Sequence, residues 1–483
     1  MEQNMADSGK WKFRGEGNAF LVLTNTQEKM VFRLAKSTHW GKGHLCKTGK
    51  TTAEKVHTEM GLVVDYMKNV MQPLLSPSFV VLPELRLLDG GILEEAENQI
   101  QESRPAQRKG KEVEHSTIDP DMLSALVLPD LCYVQGRGTN LDNTTPTISV
   151  EIKPKKAFKH SHDSLNISSE EKSQVCKFCM HQRLKAKEGQ WPETSRYCPL
   201  DLFSGNRQRM RHALIALAET PQNNLRICQD GEEVHGAWNK FDLSEVLQMF
   251  FACSLSTISN GHHSRYKLLP RFLDLVLEAL LYVPEDEGGA SVDISQPTMC
   301  SSPVQYCQNS RPETSNYLSS QDSCTSDRLP AGCVLNRILA VQQLDVLDID
   351  GVYPLYKELE QQPDICSSYH LDGPYNEGDW LEALTHDCGE FIISDATLTA
   401  VDKVKRFLVS KTMQDCSIMV ALQRINENEN EATIGPCLTD SEGQRFRFSV
   451  TIIDLDPKPF CKIPAYNRQD VDIVKAYRES GID

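Results

Sequence analysis

The sequence predicts an α+β protein of two lobes, on three observations. The chain has 483 residues, enough for two or three domain-sized units or one large bilobal fold. Short strand-like runs near the N-terminus lead into one amphipathic helix, as in a small antiparallel sheet with a helix beside it. Later strand-like runs around Val150, Ile418 and Phe448 are separated by helical spacing, which predicts a larger mixed α/β lobe. The expected division is 1–132 for the small lobe, with a hinge near 126–132, then 133–283 and 333–483 as two parts of the large lobe, with an insertion at 284–332.

Composition narrows the function classes. The hydrophobic share is 40% and the charged share 24%, as in a soluble globular protein. No run of about 18 apolar residues predicts a membrane span. Met1–Ser8 lacks the charged-then-apolar order of a signal peptide, so the 16 cysteines are expected to be reduced thiols in the cytoplasm or nucleus. A net charge of −16 argues against direct nucleic-acid or membrane-surface binding. A monomer is expected.

In chain order, Trp11–Asn18 carries Gly15-Glu16-Gly17-Asn18 and leads into Ala19–Leu23; Met30–Leu34 follows a polar turn. Two strands behind a glycine-bearing loop read either as an ordinary hairpin or as the start of a nucleotide-covering loop. No Gly-Lys-Ser/Thr phosphate loop is present there. Arg33, on the second strand, is either a surface arginine or a cation that reaches nucleotide phosphates. Glu54–Met71 has helical spacing, Phe79–Leu82 reads as a strand, and Leu126–Asp130 as a buried strand entering the hinge.

Val150–Lys155 is the strongest strand end. Its alternation sends Glu151, Lys153 and Lys155 to one face, with Pro154 marking an end or edge. Lys156, Lys159, His160, Lys177, Arg183, Lys185 and Lys187 follow. Cations gathered against the overall sign suggest a locally built anion site. Ser168–Lys187 has helical spacing, and its Cys176-Lys177-Phe178-Cys179-Met180-His181 reads better as buried thiols than as a zinc site. A helix is expected over Asn206–Ala218 with Ser204 as its cap, then a strand at Leu225–Ile227. Asn223 and Asn224 before it are either a turn or uncharged donors for phosphate.

Leu243–Cys253 and Leu268–Tyr282 read as structural helices. Pro284–Pro330, rich in Ser, Thr, Pro and Gln, is expected to be disordered. Helical spacing resumes at Val334 and again over Thr397–Ser410. Asp415 then stands at the mouth of a strand continuing to Leu422. Phe446–Ile453 runs directly into Asp454-Leu455-Asp456-Pro457-Lys458, and Lys462 and Tyr466 follow. Asp454 and Asp456 suit a magnesium ion, though a solvated acidic turn would look the same. Asp415 is a candidate base. A glycine loop, a phosphate-reaching cation, an acidic metal ligand, a base and a lysine field are the parts of phosphoryl transfer.

At this point the motifs converge. Gly15–Asn18, Glu151–Lys155, Cys179-Met180-His181-Gln182 with Lys185, Pro199–Gly205, Pro221–Asn224, Asp415–Met419 and Asp454–Pro459 occur in an order that resembles the inositol-pentakisphosphate 2-kinase family, its animal members above all. The resemblance implies a kinase-like pair of lobes with ATP between them. It also implies transfer of the γ-phosphoryl to the 2-hydroxyl of inositol 1,3,4,5,6-pentakisphosphate, giving the hexakisphosphate. Asp415 then matches the base, and Asp454 the magnesium ligand with Asp456 beside it. Gly15, Glu16, Gly17, Asn18, Arg33, Asp130, Glu151 and Asn223 fall on the nucleotide side. Lys153, Lys155, Lys185, Asn224, Lys458, Lys462 and Tyr466 match substrate contacts, with Arg104 as the expected substrate clamp of the small lobe and Arg108 its rival. Pro457 replaces a usual aliphatic residue, and Lys462 stands where the family can have arginine. Plant members carry a structural zinc whose ligands find no match here. Two rival readings are a kinase for another inositol phosphate and a non-catalytic inositol polyphosphate binder.

Overall fold

The computed structural model describes residues 11–17, 20–35, 53–88, 91, 94, 124–135, 145–160, 170–237, 243–251, 265–285, 328–362, 364–385, 398–426 and 435–481. Asn18, Arg104, Arg108 and most of the expected insertion lie outside them. The class is α+β, with two antiparallel sheets and helices. The chain forms two compact units: Met1–Met71, Val81–Asp130 and Cys366–Gly378 in the first, and Gln72–Val80, Leu131–Ile365 and Asp379–Asp483 in the second.

In the first unit, strands β1 (Trp11–Glu16), β2 (Phe20–Asn25), β3 (Met30–Ala35), β4 (Glu84–Leu87) and β5 (Ser124–Pro129) form a sheet in the order β1-β2-β3-β5-β4. Alternation places Leu21, Leu23, Phe32, Leu34, Ala125 and Val127 in one apolar cluster with Trp11. The Asn25 side chain accepts the backbone N–H groups of Gln27 and Glu28, both at 3.1 Å, and so closes the turn between β2 and β3. Helix α1 (Ala53–Tyr66) packs on β4 and β5 and continues as a π-helical turn through Met71.

The second unit is built on β6 (Thr147–Ile152), β7 (Leu225–Gln229), β8 (Glu232–His235), β9 (Ser417–Arg424), β10 (Cys437–Thr439) and β11 (Arg445–Ile453), in the order β10-β11-β9-β6-β7-β8. β9 is buried from Ser417 to Gln423, which explains its near-continuous apolar run. Its longer helices are α2 (Lys177–Lys187), α3 (Arg207–Glu219), α4 (Leu243–Phe251), α5 (Arg265–Leu281), α6 (Val334–Gln342), α7 (Asp348–Leu359), α8 (Ala400–Asp415) and α9 (Ile463–Glu479). Phe250 of α4 stacks on Phe446 of β11, with ring centroids 5.1 Å apart.

Several elements differ from the sequence reading. Phe79–Leu82 is not a strand; it is irregular chain whose Phe79 carbonyl accepts the Ile452 amide at 2.8 Å. Phe79 and Val80 are buried, so their apolar run reflects burial rather than pairing. The expected helix over Ser168–Lys187 is broken by extended residues Val175 and Cys176, and the Cys176 thiol caps α2 by accepting the Cys179 amide. Asn206, not Ser204, caps α3. α8 begins behind a Thr399–Asp402 capping box and runs on to Asp415, so that residue ends a helix rather than opening a strand.

Gly205 needs its lack of a side chain. It sits at φ +74°, and a Cβ there would collide with the backbone of Arg328. Gly205→Ala is expected to lower stability by about 1–3 kcal/mol, read as a lower urea midpoint with an unchanged slope.

Candidate active site

Strand register gathers the site. Ile152 at the end of β6 pairs with Leu225 at the start of β7 and with Ile418 of β9, while Ile453 at the end of β11 pairs with Ser417. One end of the sheet therefore carries the residues after β6, before β7, before β9 and after β11. Lys153, Lys155, Asn223, Asn224, Asp415, Asp454, Asp456 and Lys458 are brought together by this topology. Two of them, Lys155 and Asp454, hold left-handed backbone conformations at φ 64° and 61°. For non-glycine residues these are sparsely populated and cluster at functional sites.

Asp454 Oδ2 accepts from Lys153 Nζ and Ser417 Oγ, each at 3.1 Å, and Lys153 also donates to Ser417 at 3.0 Å. Behind them, Glu151 lies 3.8 Å from Lys153 and receives a 2.6 Å hydrogen bond from Arg226. Burial works against the Lys153 charge, but Asp454 and Glu151 outweigh it and raise its pKa above the ordinary lysine value. Burial likewise pushes Glu151 upward, yet Arg226 and Lys153 together hold it below the usual carboxylate range. Asn224 donates from Nδ2 to Gln222 at 3.4 Å, and its backbone carbonyl accepts the Lys153 amide at 2.8 Å. Asn224 is buried, while Asn223 is exposed.

Asp415 is half-exposed and pairs with Lys458 at 3.0 Å. Desolvation opposes its charge, but Lys458, Lys411 and Lys155 hold it well below the usual carboxylate range. Two groups of basic residues stand apart in this unit. Lys156, Lys172 and Lys177 turn toward Asp348, Asp350 and Asp470, with Lys156–Asp348 at 2.9 Å and Lys172–Asp350 at 2.6 Å, and Lys187 reaches Glu479 at 2.6 Å. Lys155, Lys185, Lys411 and Lys462, by contrast, have no carboxylate within 4 Å among the described residues. Burial and neighbouring cations push Lys155 down to about 8 despite Asp415, and burial lowers Lys185. His181 is pushed down to about 4 by burial and by Lys185, Lys177, Lys155 and Lys411, so its imidazole is neutral at ordinary pH. Tyr466, on α9, is pushed up to about 12 by burial, with Lys458 opposing.

The first unit carries the other candidates. Gly15 and Glu16 pair with Val22 and Leu21 across a bulge in β1, and the Gly17 amide donates to the Phe20 carbonyl at 2.8 Å. Arg33 lies over the Phe20 ring, 4.2 Å from its centroid. Asp130 is buried and accepts from Arg14 at 2.5 Å and from Thr24 at 3.1 Å.

Sequence reasoning missed Ser417, Arg226 and Lys411. It also read Cys176 and Cys179 as buried thiols rather than a zinc site. Cys198, from 22 residues on, joins them, and the three sulfurs lie within 4.8 Å of one another. Three converging thiols are most of a tetrahedral soft-metal shell.

Residues 13–472 match the family model described as inositol-pentakisphosphate 2-kinase. Similar relatives include the inositol-pentakisphosphate 2-kinase of Danio rerio, 34% identical over 99% of this chain and 95% of its own. The enzyme of the same name from Arabidopsis thaliana is 29% identical over 98% of this chain and 94% of its own. No helix among the described residues is long and apolar enough to cross a membrane. The family model spans nearly the whole chain and the Danio rerio relative is 34% identical across it: the chain belongs to the inositol-pentakisphosphate 2-kinase family.

Proposed function

We propose that the protein transfers the γ-phosphoryl group of ATP to the 2-hydroxyl of inositol 1,3,4,5,6-pentakisphosphate. The observation that carries this reading is that the ammonium groups of Lys155, Lys185 and Lys411, beside Asp415, have no carboxylate within 4 Å among the described residues. Five phosphates at about −1.5 to −2 each make a substrate of roughly −8 to −10. Lys155, Lys185, Lys458, Lys462 and Tyr466 are assigned to it, with Lys153 and Asn224 braced behind them. Arg104 or Arg108 is assigned as the substrate clamp of the first unit. Gly15, Glu16, Gly17, Asn18, Arg33, Asp130, Glu151 and Asn223 are assigned to ATP.

Asp415 is assigned as the base that accepts the 2-hydroxyl proton. In the empty site its lysine neighbours make it a weak base. A bound polyanion neutralises those lysines, which raises its basicity when the hydroxyl is beside it. Asp454, with Asp456, offers hard oxygen donors that suit magnesium, which when bound neutralises charge on the transferring phosphates.

The test is a panel of inositol phosphates with radiolabelled ATP. Transfer confined to species with a free 2-hydroxyl and five phosphates supports the reading; transfer to a different inositol phosphate, or binding without transfer, would refute it.

pH dependence follows from the two depressed lysines. Lys155 and Lys411 are each pushed down to about 8, so the free enzyme loses positive charge as pH rises through that value. Polyanion binding must then be accompanied by proton uptake. The KM for pentakisphosphate is expected to rise at least about tenfold between pH 7 and pH 9, with the KM for ATP changing less.

A further inference from the structure

Lys411 is not among the residues assigned to substrate or ATP above, and its surroundings call for an assignment. It stands on α8 one turn before Asp415 and is only 8% exposed. Its ammonium donates to Gln414 of the same helix at 3.1 Å and lies over the Tyr466 ring of α9, 4.8 Å from the centroid. Lys177 from α2, Lys156 from the segment after β6 and Lys458 from the segment after β11 all press their charge on it, and Asp415 opposes them. Lys172 is buried to a similar degree but faces Asp348, Asp350 and Asp470. Lys411 has no such carboxylate within 4 Å among the described residues. A buried ammonium without a close counter-charge destabilises the fold that holds it.

We propose that Lys411 is the innermost cation of the polyanion site and that the phosphates of the bound substrate are its counter-ion. This rests on the reading of the site as one for an inositol polyphosphate. Behind Tyr466 and beside Asp415, Lys411 supplies charge from below while Lys155, Lys185 and Lys458 supply it from the rim. It favours ligands with several phosphates over those with one, because its field acts on the whole anion. In the empty protein, burial pushes its amino group from 10.5 down to about 8. Below pH 8 the charged group costs stability, and the cost fades as pH rises from 8 toward 10.5. A lysine kept for structure alone would show the opposite sign.

The test uses Lys411→Met and Lys411→Arg in the full chain at pH 7. Each is titrated calorimetrically with inositol 1,3,4,5,6-pentakisphosphate and with tripolyphosphate, and each is unfolded thermally without ligand. Lys411→Met is expected to bind both ligands about tenfold more weakly and to unfold at the same or a higher temperature. Lys411→Arg is expected to stay close to wild type in affinity. Unchanged affinity in Lys411→Met overturns the proposal, and so does weaker binding accompanied by a lower unfolding temperature without rescue by Lys411→Arg. If wild type binds tripolyphosphate in a Lys411-dependent way but does not phosphorylate pentakisphosphate, the Lys411 assignment stands and the proposed function fails. If wild type binds neither ligand, both fall.

Discussion

Asp415→Asn is expected to leave the protein folded, to bind pentakisphosphate at least as tightly as wild type, and to turn it over about 10²–10⁴-fold more slowly. The asymmetry comes from the charges around that carboxylate. Asp415 pairs with Lys458 at 3.0 Å, and Lys411 and Lys155 also act on it. Removing its charge frees Lys458 for the ligand and makes the field more attractive to a polyanion. On the proposed role, the only function lost is acceptance of the hydroxyl proton. Asp415 is half-exposed, so its pairing contributes little to stability, within about 1 kcal/mol. Calorimetric binding and steady-state turnover on the same preparation separate the two effects. Weaker binding in the variant would show that Asp415 orders the site instead of serving as its base.

Asp454→Asn is the second large effect. Asp454 accepts from Lys153 and Ser417 and stands at φ 61°, a conformation that asparagine tolerates better than most residues. The substitution is therefore expected to keep the backbone while removing a hard anionic ligand. Turnover should fall by about 10²–10⁴-fold, and the magnesium concentration giving half-maximal rate should rise. Lys153 keeps Glu151 at 3.8 Å as a partner, so the variant should remain folded. A rate and magnesium dependence like those of wild type would remove Asp454 from the metal site.

Legibility in the sequence followed locality. The strands around Leu21, Phe32, Val150, Ile418 and Phe448 were readable because alternation and burial act on adjacent residues. The α+β class followed from them. The end of α8 was not readable, since Asp415 lies between a helix and a strand, and its neighbour Cys416, extended at ψ 163°, only marks the boundary once the fold is known. Phe79–Leu82 misled because a loop buried against Ile452 is as apolar as a strand. In the site, Lys153, Lys155, Asp415, Asp454, Asp456 and Lys458 are brought to one sheet end by the pairing of β6, β9 and β11. Lys411 had no motif to mark it. It became visible only when the other lysines were seen to have carboxylates, or not, from segments far apart in the chain. The third thiol, Cys198, was missed for the same reason.

A single-turnover reaction most directly tests the central claim. Enzyme in excess over inositol 1,3,4,5,6-pentakisphosphate is mixed with magnesium and ATP, and the products are resolved by anion exchange for wild type and Asp415→Asn. The account predicts stoichiometric inositol hexakisphosphate from wild type and a bound but unreacted pentakisphosphate in the variant. No hexakisphosphate from wild type, or equal rates from both proteins, would contradict it.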